Sequence, residues 1–139
     1  MSGSLRDQNR EISRLAVEAL MAGNVPALLT FQSEDVVVHV AGRGPLAGDH
    51  VGSSALAELI ERRDGLLDGP PVIQPHDIVA GDDHVVVLLD VRLRRDGRDI
   101  DARQIIVAHI RDGKIREAWV EYFEQAEVDA LWSAADGRV

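Results

Sequence analysis

The chain of 139 residues contains no cysteine and carries 24 acidic against 15 basic residues, a formal net charge of −9 at pH 7. This balance argues against nucleic acid and anionic membrane surfaces as partners, because both are bound through Lys and Arg. Without cysteine, the sequence also excludes disulfides, thiolate metal sites and cysteine nucleophiles.

The length predicts a single domain spanning residues 1–139, since a chain of this size can bury a substantial core by itself. No segment has the apolar length of a membrane span, and the first residues lack the apolar run of a signal peptide. We therefore expect a cytoplasmic protein that makes no use of a membrane.

The first half of the chain predicts three helices. Apolar residues at helical spacing indicate a helix over about residues 7–22, which Gly23 ends. Asn24 is then a plausible N-cap for a short second helix. A third helix is expected to begin near Ser53 and to end at about Arg63, where an Asp-Gly pair follows.

Strands dominate the second half of the chain. Asp96-Gly97 and Asp112-Gly113 are strong hairpin signals between long apolar runs. The last segment, residues 126–135, forms either a short helix or a frayed end. One short strand, residues 35–39, is expected before the third helix. The other expected strands cover residues 73–80, 85–94, 100–110 and 115–123.

Alternation along these strands assigns two faces to the predicted sheet. Leu89, Val91 and Leu93 alternate with charged residues and are expected to face the core. The other face becomes apolar toward the C-terminal strands, and a second copy of the chain is the simplest cover for it. Packing of Leu131 and Trp132 against this face is the alternative. The predicted homodimer interface consists of Ile105, Val107, His109, Trp119 and Phe123.

Several segments resemble the SnoaL-like, nuclear-transport-factor-2-like superfamily, to which ketosteroid isomerase and polyketide cyclases belong. The resemblance runs through residues 35–42 (DVVVHVAG), 45–48 (PLAG) and Gly52, and it returns at residues 108–119 and 128–132. It implies an α+β fold, in which a cone-shaped, curved, mainly antiparallel sheet is closed by three N-terminal helices around an internal pocket. Isomerases, cyclases, hydrolases and noncatalytic binders share this fold, so the fold leaves the reaction open.

The resemblance also implies positions for the chemistry. Against ketosteroid isomerase, His39 falls at or beside the general base, and the two oxyanion donors fall on Ala16 and Ile106, which cannot donate. Polyketide cyclases use a carboxylate late in the last strand, where Glu124 is the nearest candidate that would face inward. His39 is expected to point into the pocket as a base, since the histidine pKa lies near working pH. A histidine satisfied by a backbone carbonyl at the strand end is the equally compatible alternative.

Two further polar residues are expected to face the interior. Tyr122 would act with His39 as an acid or oxyanion donor, or would make an ordinary hydrogen bond at the pocket rim. Gln104 would bind ligand or pair with Tyr122, because a buried amide requires partners. The predicted pocket is lined by Leu20, Leu89, Val91, Leu93, Gln104, Ile106, Ala108 and Val120.

Two functions fit these observations. The first is a cofactor-independent acid/base enzyme of isomerase, cyclase or hydrolase type, acting on a small apolar, carbonyl-bearing metabolite, with His39 as base and Tyr122 and Glu124 assisting. The second is a noncatalytic small-molecule-binding or dimerisation module of the same fold. We expect neither metal nor cofactor, because the sequence lacks a His-Glu-x-x-His or EF-hand pattern and its glycines do not match a dinucleotide loop.

Overall fold

In the computed structural model, which describes residues 3–136, six strands form one mixed sheet whose inner face packs against helices. The helices of this part of the chain are α1 (Leu5–Met21), α2 (Val25–Leu29), α3 (Ser53–Leu66) and α4 (Gln125–Asp136). The strands are β1 (Gln32–Val40), β2 (Gly48–Val51), β3 (Val72–Ala80), β4 (His84–Arg95), β5 (Arg98–Arg111) and β6 (Lys114–Tyr122). Within residues 3–136, none of the helices combines the length and the apolar character that crossing a bilayer requires.

The strands lie in the order β2-β1-β6-β5-β4-β3. Neighbouring strands are antiparallel except β1 and β6, which run parallel with Val38 opposite Ala118. The expected α+β fold is therefore confirmed, with a sheet that stays open rather than closing on itself. The short strand β2 was not predicted, because four residues within a glycine-rich stretch form a strand only by pairing with β1.

Local sequence signals act where they were expected. The Asn24 side chain accepts a hydrogen bond from the Ala27 N–H at 3.1 Å, so the predicted N-cap of α2 is confirmed. Both Asp-Gly pairs have positive φ at each residue, between 53° and 77°, as two-residue hairpin turns require. The third helix continues past its expected end to Leu66, whose packing on the core offsets the roughly 1 kcal/mol cost of glycine in a helix.

The inner face of the sheet forms the core with the helices. Leu89 and Leu93 are 0% and 1% exposed, which confirms the alternation predicted for β4. Helix α4 packs on this same side, because the backbone oxygen of Trp132 accepts a hydrogen bond from the inward-facing Arg95 at 2.9 Å. Leu131 is 1% exposed in the same core. The alternative in which these tail residues cover the outer face is therefore wrong.

Candidate functional site

A cavity of about 170 Å³ lies between the sheet and the helices. The inner faces of β1, β5 and β6 form one side, and α1, α3 and α4 form the other. An apolar wall that carries a few convergent polar groups is the usual form of a small-molecule site. The polar side chains on this wall are Ser13, Gln32, Arg63, Gln104, Tyr122, Gln125 and Asp129.

The structure divides the predicted lining residues into two groups. Leu20, Gln104, Ile106, Ala108 and Val120 lie on the cavity wall, together with Tyr122. Strand β4 contributes Val87 to the wall instead of the residues expected from it. The others, which are packed in the solid core at 0–4% exposure, are Leu89, Val91 and Leu93. Alternation shows which face a residue occupies, but it does not show where that face borders a void.

Tyr122 presents a protonated hydroxyl to the cavity. Strands β5 and β6 place Gln104 opposite Tyr122, and the Gln104 amide donates to the tyrosine oxygen at 3.3 Å. Within residues 3–136, no group accepts a hydrogen bond from the Tyr122 O–H. Burial raises the pKa of Tyr122 to about 12, and the nearby Arg63 cation opposes this shift. The hydroxyl is therefore a neutral donor at physiological pH.

Two polar wall residues on helices were missed by the sequence analysis. Arg63 has a side chain that is only 17% exposed and that pairs with Asp64 at 2.9 Å. Ser13 is 3% exposed, and its Oγ has no hydrogen-bond partner within the described chain. The spacing of Ser13 with Ala16 and Leu20 along α1 was a usable signal, because residues three or four apart share one helix face.

A third missed group lies at the start of α4, which the sequence left as helix or frayed end. The Gln125 side chain accepts from the backbone N–H of Tyr122 through Oε1 at 3.0 Å. Its Nε2 donates to Oδ1 of Asp129, also at 3.0 Å. Gln125 therefore joins the strand end that carries the tyrosine to the carboxylate of Asp129, and all three residues line the cavity.

His39 lies outside this cavity. Its Nδ1 is 2.7 Å from Asp49, its Nε2 is 2.5 Å from Glu117, and its ring stacks on Trp119 with 5.5 Å between centroids. The hydrogen bonds to Asp49 and then Glu117 raise the pKa of His39 above its ordinary value of 6.5. The carboxylates of Asp49 and Glu117 therefore lie on opposite sides of the His39 ring. Within residues 3–136, no three His, Asp or Glu side chains are arranged to hold a metal ion.

The expected orientation of His39 toward the interior is therefore wrong. Strand β1 buries Val36 and Val38 at 0% and 4% exposure and turns Val40 to the cavity wall. Because successive side chains alternate between the faces of a strand, His39 must point outward. The valines at alternate positions already contained this information.

Glu124 also lies outside the cavity, although it was expected to face inward. Its Oε1 accepts a hydrogen bond from the backbone N–H of Arg103 at 2.8 Å. It lines a separate groove on the outer side, next to Phe123 and Arg92. Strand β6 ends at Tyr122, so strand alternation does not determine where the Glu124 side chain points.

The outer face of the sheet carries the apolar residues that were predicted for it. Trp119 is 38% exposed and lies opposite the half-buried Val107, while Phe123 at the edge is 60% exposed. His109 lies on the same face and stacks on His84 with 5.0 Å between ring centroids. With α4 on the inner side, the described part of the chain leaves this face uncovered.

A family model described as a SnoaL-like domain matches residues 14–118. Uncharacterized protein Rv0034 of Mycobacterium tuberculosis is 23% identical over 128 residues, which cover 91% of this chain and 98% of that protein. The structure of Bal32a, from a soil-derived mobile gene cassette, aligns with a TM-score of 0.87 and 24% identity over 93% of this chain and 99% of Bal32a. A putative polyketide cyclase from Xanthomonas campestris pv. campestris aligns with a TM-score of 0.73 and 21% identity over 92% and 99% of the two chains. These matches confirm the predicted family resemblance and a shared fold.

Proposed function

This chain belongs to the SnoaL-like domain family, and on that premise we propose that it is an acid/base enzyme whose cavity holds a small apolar molecule by a carbonyl oxygen. The proposed chemistry is of isomerase or cyclase type, in which a proton leaves a carbon next to that carbonyl. The hydroxyl of Tyr122 is the donor that holds the oxygen. The fold alone does not assign this role, so the argument rests on the cavity wall.

The observation that carries the proposal is the unused O–H of Tyr122. A buried hydroxyl normally finds an acceptor, and here the described residues provide none. A carbonyl oxygen in the cavity would satisfy it. The Gln104 amide donates to the tyrosine oxygen, which polarises the phenol and strengthens the hydrogen bond that it can donate.

The charge distribution of the cavity favours the same chemistry. Removal of a proton next to a carbonyl places negative charge on the carbonyl oxygen. Donors already aimed at that oxygen stabilise the charge strongly in an apolar site, because they need no reorganisation. Arg63, on the same wall, adds a positive charge close enough to act on Tyr122.

A noncatalytic binder is the second candidate, and one observation favours it. His39 and Glu124, which were expected to act together with Tyr122, both lie outside the cavity. If no carboxylate on the cavity wall reaches the substrate, the cavity would hold a carbonyl compound without transforming it. Binding and turnover must therefore be measured separately.

Binding is tested with 1-indanone and indane, which differ in the carbonyl group and share the apolar rings. We expect the protein to bind 1-indanone about fivefold more tightly than indane, the equivalent of about 1 kcal/mol for one hydrogen bond. Tyr122→Phe should remove this preference and leave the affinity for indane unchanged, as measured by NMR titration. Equal affinities of the wild-type protein for the two compounds would contradict the proposal.

Turnover is tested with the same compound in deuterium oxide. An acid/base enzyme should exchange the protons next to the carbonyl of 1-indanone for deuterium, and Tyr122→Phe should slow this exchange. Glu124→Gln is the matched control, because Glu124 lies in the outer groove. Tyr122-dependent binding without any exchange above the solution rate would instead support the noncatalytic binder.

We further propose that the outer face of the sheet joins two copies of the chain. Strands β3 to β6 lie about 4.8 Å apart and rise about 3.4 Å per residue, which gives their outer face an area of roughly 700 Å². Each partner in a standard interface buries about 800 Å², so the two areas are close. Several charges on the face pair with one another, as in Arg92 with Asp101 at 2.7 Å. Glu121, opposite Ile105, forms no ion pair within residues 3–136, so a second copy covers an apolar surface that also carries this carboxylate.

Sedimentation equilibrium tests this dimer. The wild-type protein should sediment at twice the chain mass of 15.2 kDa, and Trp119→Glu should sediment at the chain mass itself. Leu5→Glu is the control, because Leu5 is 52% exposed on α1 rather than on the sheet. A wild-type monomer, or a dimer of Trp119→Glu, would rule out this interface.

A further inference from the structure

Asp129 occupies the cavity wall beside the proposed carbonyl donor. It lies one helical turn after Gln125 on α4, so that both side chains share one face of the helix. Through Gln125, the carboxylate is connected to the backbone of Tyr122 by two hydrogen bonds of 3.0 Å each. The position of the carboxylate is therefore set by the strand end that carries the tyrosine.

The glycine-rich bend after β1, residues 41–47, packs directly on this pair. A Cβ atom at Gly42 would overlap Oδ1 of Asp129 and would lie 2.6 Å from Nε2 of Gln125. The φ angle of Gly42 is +99°, a value that residues other than glycine rarely adopt. The bend therefore holds the two side chains against the cavity from the side opposite the helix.

Within the described residues, only one oxygen of the Asp129 carboxylate is hydrogen-bonded. Oδ1 accepts the hydrogen bond from Gln125, and within residues 3–136 no donor contacts Oδ2. Asp129 is half-buried. A fixed carboxylate with one free oxygen on the wall of a site is suited to accept a proton, provided that the substrate brings its C–H bond within reach.

We infer that Asp129 is the proton acceptor of this cavity and that Gln125 is its positioning residue, an inference that rests on the proposed function. Oδ2 of Asp129 takes the proton from the carbon next to the carbonyl. The C–H electron pair becomes the new carbon–carbon π bond, and the carbonyl π pair moves to the oxygen that Tyr122 holds. When the proton on Asp129 is replaced by one from water before it returns to the same carbon, the substrate undergoes isotope exchange. Return of the proton to a conjugated carbon gives an isomer, so that no reactant other than water takes part.

Asp129 takes the role that the sequence predicted for His39 or Glu124. A carboxylate at this point serves catalysis and is not needed for binding, so Asp129 favours the enzyme over the noncatalytic binder. Partial burial of a carboxylate in an apolar wall is unfavourable in free energy, so its presence on this wall is easier to explain by a catalytic role.

Deuterium exchange into 1-indanone tests the inference. Asp129→Asn should slow exchange by about 100-fold or more, the usual contribution of a general base, with little change in the affinity for 1-indanone. The matched control is Glu127→Gln, which changes a carboxylate in the first turn of the same helix. Exchange by Asp129→Asn at the wild-type rate would overturn the inference and leave Tyr122-dependent binding, and with it the proposed site, intact.

A second variant separates a catalytic carboxylate from a structural one. Asp129→Ala opens space at the wall, and added formate should restore part of the exchange if the missing group is a base. A folded Asp129→Ala protein that binds 1-indanone and does not respond to formate would contradict the inference. Gln125→Ala should lower the exchange rate at saturating 1-indanone more than it lowers affinity, and an effect on affinity alone would contradict the positioning role.

Discussion

Alanine substitution of Gly42 measures the contact between the glycine-rich bend and α4, and Gly48 offers a matched control. Both glycines have strongly positive φ, +99° and +112°, so alanine strains the backbone at either position by about 1–3 kcal/mol. The surroundings differ. A Cβ at Gly42 would meet Asp129 and Gln125, whereas a Cβ at Gly48 would meet nothing within 4 Å.

The difference between the two variants isolates the side-chain contact. To accommodate a Cβ at Gly42, Asp129 or Gln125 must move, which breaks their hydrogen bond. A hydrogen bond to a charged group contributes roughly 1.5–3 kcal/mol, and partial exposure of Asp129 places the loss at the lower end. We expect Gly42→Ala to be about 1.5 kcal/mol less stable than Gly48→Ala, with the backbone strain common to both.

Urea unfolding of both variants gives this difference, provided that their denaturant slopes agree. The functional assay gives a second, independent comparison. Displacement of Asp129 should make Gly42→Ala slow in deuterium exchange, while Gly48→Ala should keep the wild-type rate. Equal stabilities together with equal exchange rates would refute the packing of the bend on α4 as the device that positions Asp129.

Three further outcomes follow from the geometry. The pKa of His39 is raised, so its ion pairs contribute stability that is fully present below its ordinary pKa of 6.5 and is lost as pH rises through the raised value. The difference in unfolding free energy between the wild-type protein and His39→Gln, measured by urea unfolding across this range, should therefore shrink toward alkaline pH. A difference that stays constant with pH would contradict the pairing. Tyr122 is the single tyrosine of the chain, so its phenolate absorbance should rise near a pKa of about 12, and a midpoint near the ordinary value of 10.0 would place the hydroxyl in water. Leu93→Ala should cost about 2–5 kcal/mol as a solid-core truncation, more than Leu20→Ala at the cavity wall, and the reverse order in thermal unfolding would mean that the cavity is misplaced.

The sequence contains enough information for most of the fold. The Asp-Gly turns, the Asn24 cap and the alternation along β4 act through the backbone of a few neighbouring residues, and each appears in the structure as predicted. Strand β2 was missed for the opposite reason, since it exists only through its pairing with β1. The inward placement of Gln104 and Tyr122 also followed from alternation. The hydrogen bond between them is one of the two roles that the sequence left open for Gln104.

The assignment of His39 shows a different kind of error. The valines at positions 36, 38 and 40 predict that this part of β1 turns its even-numbered residues inward. The family resemblance implies the opposite orientation, with His39 facing the interior. The local pattern was the better guide, because turning Val36, Val38 and Val40 inward removes more apolar surface from water than turning Val37 and His39 inward would.

The sequence by itself determined which strands form, how they turn and which of their faces is apolar, because these properties depend on residues close together in the chain. Only the tertiary structure decided that the inner face borders a void beside Val87 and is solidly packed at Leu89. It alone brought the start of α4 against Gly42 and the end of β6. Whether neighbouring elements fill or leave the space between them depends on their combined shapes, and no segment carries that information in its own sequence.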